Sequence, residues 1–260
     1  MKDHLKNSWA VVTGASAGFG KAIAEKLGQE GMNLILTGRR VERLQELAKK
    51  IAQDSQVEVR VLCFDVSKYD QCAAKFEEIK SLIPKVAVLV NNAGLALGTD
   101  KIQDGKIADW EVMIDTNIKG LLYMTRLVLP HMLEKNSGHI VNIGSVAGRW
   151  TYPGGAVYSA TKFAVRAISD SIRMDIMGKN IRVTNIEPGM AETEFSQVRL
   201  ADLEKAKNVY RGMTPLQAND IAETVAWCVQ RPQHVNIAEL VIYPTDQVGV
   251  GPAYVAKTAT

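Results

Sequence analysis

Tyr158 and Lys162 stand four residues apart, a spacing that stacks both side chains on one face of a helix. A phenol with its ordinary pKa of about 10 is a poor acid or base at neutral pH, whereas a neighbouring ammonium favours the phenolate and draws that pKa toward the working range. Upstream, Ser145 closes the run Asn142-Ile143-Gly144-Ser145, where its hydroxyl can hold a substrate oxygen beside Tyr158. Asn117 lies in Asp115-Thr116-Asn117, inside a long helical stretch. A poor helix former there is expected to break the ladder locally and organise a proton-relay water near Lys162. Each residue alone has a structural explanation: a half-buried aromatic, a surface lysine, a helix cap, a core amide. The four in this order, downstream of a phosphate-binding turn, point to proton transfer at a carbon–oxygen bond.

That turn is Thr13-Gly14-Ala15-Ser16-Ala17-Gly18-Phe19-Gly20, between a strand and a helix. Glycines let the backbone turn tightly and approach a pyrophosphate, and the helix that follows offers free N–H groups and the positive end of its dipole. The second strand ends at Gly38, where a binder of NAD usually places Asp or Glu about 20 residues beyond the glycine turn. Here the carboxylate is missing and Arg39-Arg40 follow. Planar guanidiniums suit a 2′-phosphate, and Ser16 can add a hydroxyl, so the pattern favours NADP(H). In Phe64-Asp65-Val66, Asp65 either accepts from an adenine amino group or caps the next helix. Asn91-Asn92-Ala93-Gly94 closes the fourth strand with small residues that let the chain pass close to a ribose.

These residues require an alternation of strands and helices to position them. Strands are expected at Trp9–Thr13, Asn33–Thr37, Val57–Cys63, Val86–Val90, Gly138–Ile143, Ile181–Ile186 and Glu239–Ile242. Helices are expected at 18–29, 41–53, 69–82, 110–134 with a kink at Pro130, 157–177 ended by Gly178, and 219–230. Continuously apolar strands separated by helices imply a parallel sheet covered on both faces, and right-handed crossovers make it a doubly wound, Rossmann-type α/β fold of about seven strands. A length of 260 residues fits one domain, 1–260. The stretch 189–217 lacks clear period and reads as a substrate lid. The tail after Tyr243, with Gly249-Val250-Gly251-Pro252, is read as frayed or as docking on a neighbouring subunit.

Composition removes other classes. A net charge of +3, with basic and acidic residues interspersed, gives no case for nucleic acid. Cys63, Cys72 and Cys228 have neither disulfide pairing nor metal-ligand spacing and read as reduced thiols of a cytoplasmic protein. The first residues carry charges but no apolar run of signal-peptide type, and the longest apolar runs are strand-sized, so no membrane span is expected.

The glycine turn, Asn91-Asn92-Ala93-Gly94, Asn117, Ser145 and Tyr158-x-x-x-Lys162, with Pro188-Gly189 and Thr193 behind them, resemble the motif set of the short-chain dehydrogenase/reductase family over roughly residues 9–245. The resemblance implies Tyr158 as general acid/base, Lys162 as its electrostatic partner and ribose anchor, Ser145 as holder of the substrate oxygen and Asn117 as relay. It further implies that Pro188, Gly189 and Thr193 border the nicotinamide carboxamide, that no metal is needed, and that the protein is a homotetramer with the helices of Asn117 and Tyr158 at an interface. Residues 92–98, 113–117, 186–189 and 193–196 resemble the NADP-dependent 3-hydroxy acid dehydrogenase branch. That implies a small-molecule substrate such as L-serine, L-allo-threonine, 3-hydroxyisobutyrate or malonic semialdehyde. The segment Met190-Ala191-Glu192 looks shorter than its counterpart in that branch, which bears on substrate shape. A carboxylate substrate requires a cation, and Arg149 and Arg199 are the candidates. Two readings compete. One is a reductase of an uncharged ketone or aldehyde. The other is a non-catalytic NADP(H)-sensing regulator, which would have no need of Tyr158 or Lys162.

Overall fold

The computed structural model describes residues 5–251; Pro252 and the rest of the tail lie outside them. In chain order the elements are β1 (Trp9–Val12), α1 (Gly18–Gln29), β2 (Asn33–Gly38), α2 (Val41–Ser55), β3 (Val59–Cys63), α3 (Tyr69–Glu77) and β4 (Val86–Asn91). Then come α4 (Ile107–Ile114), a π-helical turn (Asp115–Gly120), α5 (Leu121–Glu134), β5 (Gly138–Ile143), α6 (Ala156–Asp175) and β6 (Ile181–Pro188). The chain continues through β7 (Ala191–Glu192), α7 (Phe195–Leu200), α8 (Leu203–Asn208), β8 (Leu216–Gln217), α9 (Ala218–Val229) and β9 (Glu239–Ile242).

Seven of these strands form one parallel sheet in the order β3-β2-β1-β4-β5-β6-β9. Successive residues of a strand point to opposite faces, and the apolar runs divide accordingly. Val12, Leu34, Leu36, Val88 and Val90 join the layer packed on α1, α2 and α9, while Val11, Ile35 and Leu89 join the layer that includes Met124, Val128 and Ile172. Burying each such side chain contributes roughly 1.5–3 kcal/mol. Because both faces are covered, no polar alternation survives in β1 or in Val86–Val90 of β4, which is why they read as continuous apolar runs.

The strand order reverses between β1 and β4: the chain winds outward from β1 to β3, then returns to start β4 on the other side of β1. Connections leaving the carboxyl ends of these two neighbours diverge and leave a crevice between them. The expected long fourth-to-fifth crossover is not one regular helix. It is interrupted by the π-helical turn 115–120, where Asn117 sits, and then runs through Pro130 to Glu134. The predicted third helix stops at Glu77, and β6 continues through Pro188, because Pro188 lies at the paired end beside β9. The segment 189–217 contains α7, α8 and the short β7–β8 pair in place of a structureless loop. No helix among the described residues is long and apolar enough to cross a membrane.

Candidate active site

The carboxyl ends of the central strands and the segment 189–217 enclose a cleft of about 720 Å³, within the range of small-molecule and cofactor sites. At one end lies the glycine turn. Gly14 has φ +64°, and a Cβ there would stand 3.0 Å from Ala93 Cα. A Cβ on Gly20 would run into the Gly14 carbonyl oxygen, so Gly20 sits beneath the turn and does not line the cleft. Ala17 precedes α1 in extended conformation without a side-chain cap, which leaves N–H groups of the first turn for a ligand. Gly14, Ser16, Gly18 and Phe19 all line the cleft.

Thr13 fixes this turn to the end of β4. Its hydroxyl donates to the Val90 carbonyl at 3.3 Å and accepts from Asn92 N at 3.0 Å and Ala93 N at 2.9 Å. Asn92 Nδ2 answers by donating to the Thr13 carbonyl at 2.8 Å. Asn92, Ala93 and Gly94 therefore line the cleft. Asn91, expected there too, does not: strand alternation turns its side chain inward, where Nδ2 donates to Thr125 Oγ1 at 3.1 Å and Asn142 Oδ1 at 2.9 Å.

Ser16, Arg39, Arg40, Asp65 and Val66 converge on the same end of the cleft. Arg40 Nε and Nη2 both donate to Ser16 Oγ, at 3.0 and 2.9 Å. Arg39 Nη1 stands 3.8 Å from Asp65 Oδ2 and remains largely exposed. The other oxygen, Asp65 Oδ1, accepts from Ser67 N at 2.9 Å, so this side chain shapes the local turn and also faces the cleft. Two guanidiniums and a hydroxyl form a donor set that suits a phosphate monoester.

At the other end, Ser145, Tyr158 and Lys162 come together. Ser145 Oγ accepts from Ala147 N at 3.1 Å, capping a short 3₁₀ turn, and the residue lines the cleft with Tyr158. Lys162 Nζ donates to the Ile143 carbonyl at 2.8 Å and lies 5.9 Å from the Tyr158 ring centroid. The electrostatics differ from the expectation that Lys162 lowers the phenol. Burial pushes the Tyr158 pKa up, and the Ser145 hydroxyl and the Arg199 charge only partly oppose it. Burial also lowers the Lys162 ammonium to about 8.

Asn117 does not line the cleft. From the π turn its Oδ1 accepts from Leu95 N at 2.8 Å, and its Nδ2 donates to Leu95 O at 2.8 Å and Thr161 Oγ1 at 3.0 Å. Thr161 Oγ1 in turn donates to the Tyr158 carbonyl at 2.7 Å. One buried amide thus joins the loop after β4 to the helical turn between Tyr158 and Lys162.

Pro188, Gly189 and Thr193 line the cleft, and Thr193 lies over the glycine turn, 3.6 Å from where a Gly18 Cβ would be. Of the two candidate cations, only Arg199 faces the cleft. Its Cζ is 5.3 Å from the Tyr152 ring centroid and 5.9 Å from that of Tyr158. Arg149 is not a substrate anchor in this geometry: its guanidinium is occupied by Glu187 and Glu239, and Arg166 Nε donates to the second oxygen of Glu239 at 2.8 Å. Sequence reasoning missed Tyr152 and Phe195, which wall the cleft beside Tyr158; the Tyr158 and Phe195 rings are 5.6 Å apart. The signal for Tyr152 was its place in Tyr152-Pro153-Gly154-Gly155, between Ser145 and Tyr158.

A strand-order reversal ending in a glycine turn makes this a dinucleotide-binding fold, and the phenol and ammonium on α6 equip it to move a proton at a carbon–oxygen bond; the class is that of the oxidoreductases. The chain belongs to the short-chain dehydrogenase family, whose model matches residues 8–204. It is 46% identical over 239 residues to a sulfoacetaldehyde reductase of Chromohalobacter salexigens, covering 91% of this chain and 94% of the relative. It is also 46% identical over 250 residues to an NADP-dependent 3-hydroxy acid dehydrogenase of Escherichia coli (strain K12), covering 93% and 96%. Among solved structures it resembles the closed form of a serine dehydrogenase complexed with NADP+, with a TM-score of 0.87 and 46% identity over 94% of this chain and 97% of that one.

Two stability measurements follow from the charges. Lys162 is held well below its unfolded pKa of 10.5, at about 8. The folded state therefore resists protonation, a cost fully present below pH 8 and gone above 10.5. Relief of roughly 3 kcal/mol, less about 1 for the lost hydrogen bond to Ile143, leaves Lys162→Met roughly 2 kcal/mol more stable at pH 7 and inactive. Urea unfolding across that pH range checks it; a variant less stable than the parent at pH 7 refutes it. Arg149→Met leaves the buried Glu187 without its cation, an expected loss of roughly 3 kcal/mol. Burial already raises the Glu187 pKa, so the deficit should grow as pH rises and shrink as pH falls, in thermal melts at several pH values. A melt unchanged at neutral pH would contradict the assignment.

Proposed function

We propose that this chain is an NADP(H)-dependent oxidoreductase that interconverts a small 3-hydroxy acid, or its sulfonate counterpart, with the corresponding aldehyde or ketone. The observation that carries this is Arg199: a cation beside the Tyr158 ring, facing the same cleft as the phenol and Ser145. L-Serine, L-allo-threonine, 3-hydroxyisobutyrate, malonic semialdehyde and sulfoacetaldehyde all place the reacting oxygen two carbons from an anionic head. The 3-hydroxy acid and sulfoacetaldehyde activities of the relatives support the same spacing.

The residues present fit the cofactor. Ser16, Arg39 and Arg40 would hold the 2′-phosphate, and the glycine turn and the start of α1 the pyrophosphate. Asp65 and Val66 would border the adenine. Ala93, Gly94 and Lys162 would meet the riboses, and Pro188, Gly189 and Thr193 the carboxamide. The nicotinamide, when bound, supplies or accepts the hydride at the substrate carbon. Tyr158 gives its proton to the carbonyl oxygen in reduction and takes it from the hydroxyl in oxidation. Ser145 holds that oxygen, and the Lys162 ammonium stabilises the phenolate that reduction leaves. Burial raises the Tyr158 pKa, so the phenol enters the reductive step carrying its proton. Asn117 fixes the loop and helix that a relay water would bridge.

The chain acts as one domain, with 189–217 as its lid. Three unpaired thiols support a cytoplasmic setting. Val112, Ile114, Leu122, Phe163 and Met174 are exposed on α4, α5 and α6, an apolar surface that supports the homotetramer. Phe163→Glu is expected to lower the solution mass measured by light scattering; an unchanged tetramer would exclude this face.

Turnover is tested on the acids and aldehydes above and on a neutral secondary alcohol, with both cofactors, in the parent and in Arg199→Met. The expected result is preference for NADP(H) and for anionic substrates, with KM for the acids raised about ten- to a hundredfold in the variant by loss of one charge-assisted contact. Turnover of the neutral alcohol alone would replace this reading with that of a reductase of uncharged carbonyls. Binding without turnover of any substrate would indicate an NADP(H) sensor.

A further inference from the structure

Glu194 follows Thr193 at the rim of the cleft, at the entry to α7. Its Oε2 accepts from Arg40 Nη1 at 2.9 Å and its Oε1 from Arg43 Nη1 at 2.8 Å. The opposite edge of the Arg40 guanidinium is given to Ser16 Oγ. One side chain therefore connects three separate pieces: the glycine turn, the end of β2 and the segment over the cleft. Arg43 lies three residues along α2 and does not line the cleft; it reaches the site only through Glu194.

We propose that Glu194 is a specificity-determining latch: it fastens the 189–217 segment to Arg40 and Arg43, so that a phosphate held by Ser16 and Arg40 slows departure of the cofactor by keeping the segment closed. The inference rests on the NADP(H) reading and concerns how the discrimination is exerted. A phosphate bound to Ser16 and Arg40 fixes the arginine rotamer whose free Nη1 receives Glu194, so the ordering cost of the latch is met in advance. A ribose hydroxyl at the same place does this weakly. Coupling between two such contacts is reciprocal, so the closed segment strengthens phosphate binding by the same factor. Like charge between Glu194 and a phosphate is offset because Arg43 takes one carboxylate oxygen, and Arg39, Arg40 and Arg43 together balance the two anions. All three latch side chains are about half exposed, and exposed ion pairs are weak. That suits a contact that must open in every turnover.

Release of NADPH and of NADH is measured by stopped-flow fluorescence in the parent, Glu194→Gln, Arg43→Met and the double variant. Each single change is expected to speed NADPH release about three- to tenfold, the double variant no further, and NADH release less than about twofold. Unchanged or slowed NADPH release in both single variants, or equal acceleration for both cofactors, removes the latch while leaving the parent's preference for NADPH standing. A parent that holds the two cofactors equally removes the NADP(H) reading and the latch with it.

Discussion

The structure depends on the bond that joins the carboxyl ends of β1 and β4 at the point where the strand order reverses. Diverging crossovers create a crevice there, but they do not set its width. Thr13 and Asn92 do, through hydroxyl and amide bonds that pin the glycine turn to the loop after β4. With that distance fixed, Gly14 and Gly20 are forced to lack side chains, and the first turn of α1 faces the cleft uncapped. The loop after β4 is then placed so that Asn117 can hold Leu95 by both backbone groups. The Tyr158 end of the cleft thus inherits its geometry from the glycine-turn end.

A second polar line runs through the apolar layers. Asn91, Asn142 and Ser169 link β4 to β5 and α6, with Asn142 Nδ2 donating to Ser169 Oγ at 2.8 Å. Apolar packing fixes how far α6 lies from the sheet, but it tolerates sliding and rotation. Directional hydrogen bonds do not, and an unmet buried partner costs about 1–3 kcal/mol. The helix bearing Tyr158 and Lys162 is therefore registered against the strand that leads to Ser145.

Much of this was legible in the sequence because it is local. Strand runs, the helix after Gly18 and the i, i+4 pair depend on residues close in the chain, and β5 and β9 fall where their patterns place them. The π turn was foreshadowed by a poor helix former at Asn117, but its form is decided by Leu95 and Thr161, far away in sequence. Asn91 was misplaced because one residue of strand phase decides whether a side chain faces cleft or core. The wall made by Tyr152 and Phe195 was invisible because two loops meet there only after folding. Arg149 and Arg199 were indistinguishable as letters: what separates them is the position of Glu187 and Glu239, on strands that follow in the chain.

That distinction extends to the other cations. Arg149 has two carboxylates, so its field is cancelled inside the protein and its work is structural. Lys162 donates to a main-chain carbonyl, as does Arg199, whose Nε reaches Gly98 O at 3.2 Å. A carbonyl dipole orients a cation without neutralising it, and a buried cation left in that state lowers stability unless something else is gained. Under the proposed function the gain is a field available to charge that arrives or forms during reaction: a phenolate beside Lys162, an anionic head beside Arg199. Arg40 is intermediate, sharing one edge with a neutral hydroxyl and one with Glu194. It retains capacity for an anion while also bonded to the 189–217 segment through Glu194. Compensation by carboxylates, more than the presence of a positive charge, separates the cations that hold this fold together from those that serve its chemistry.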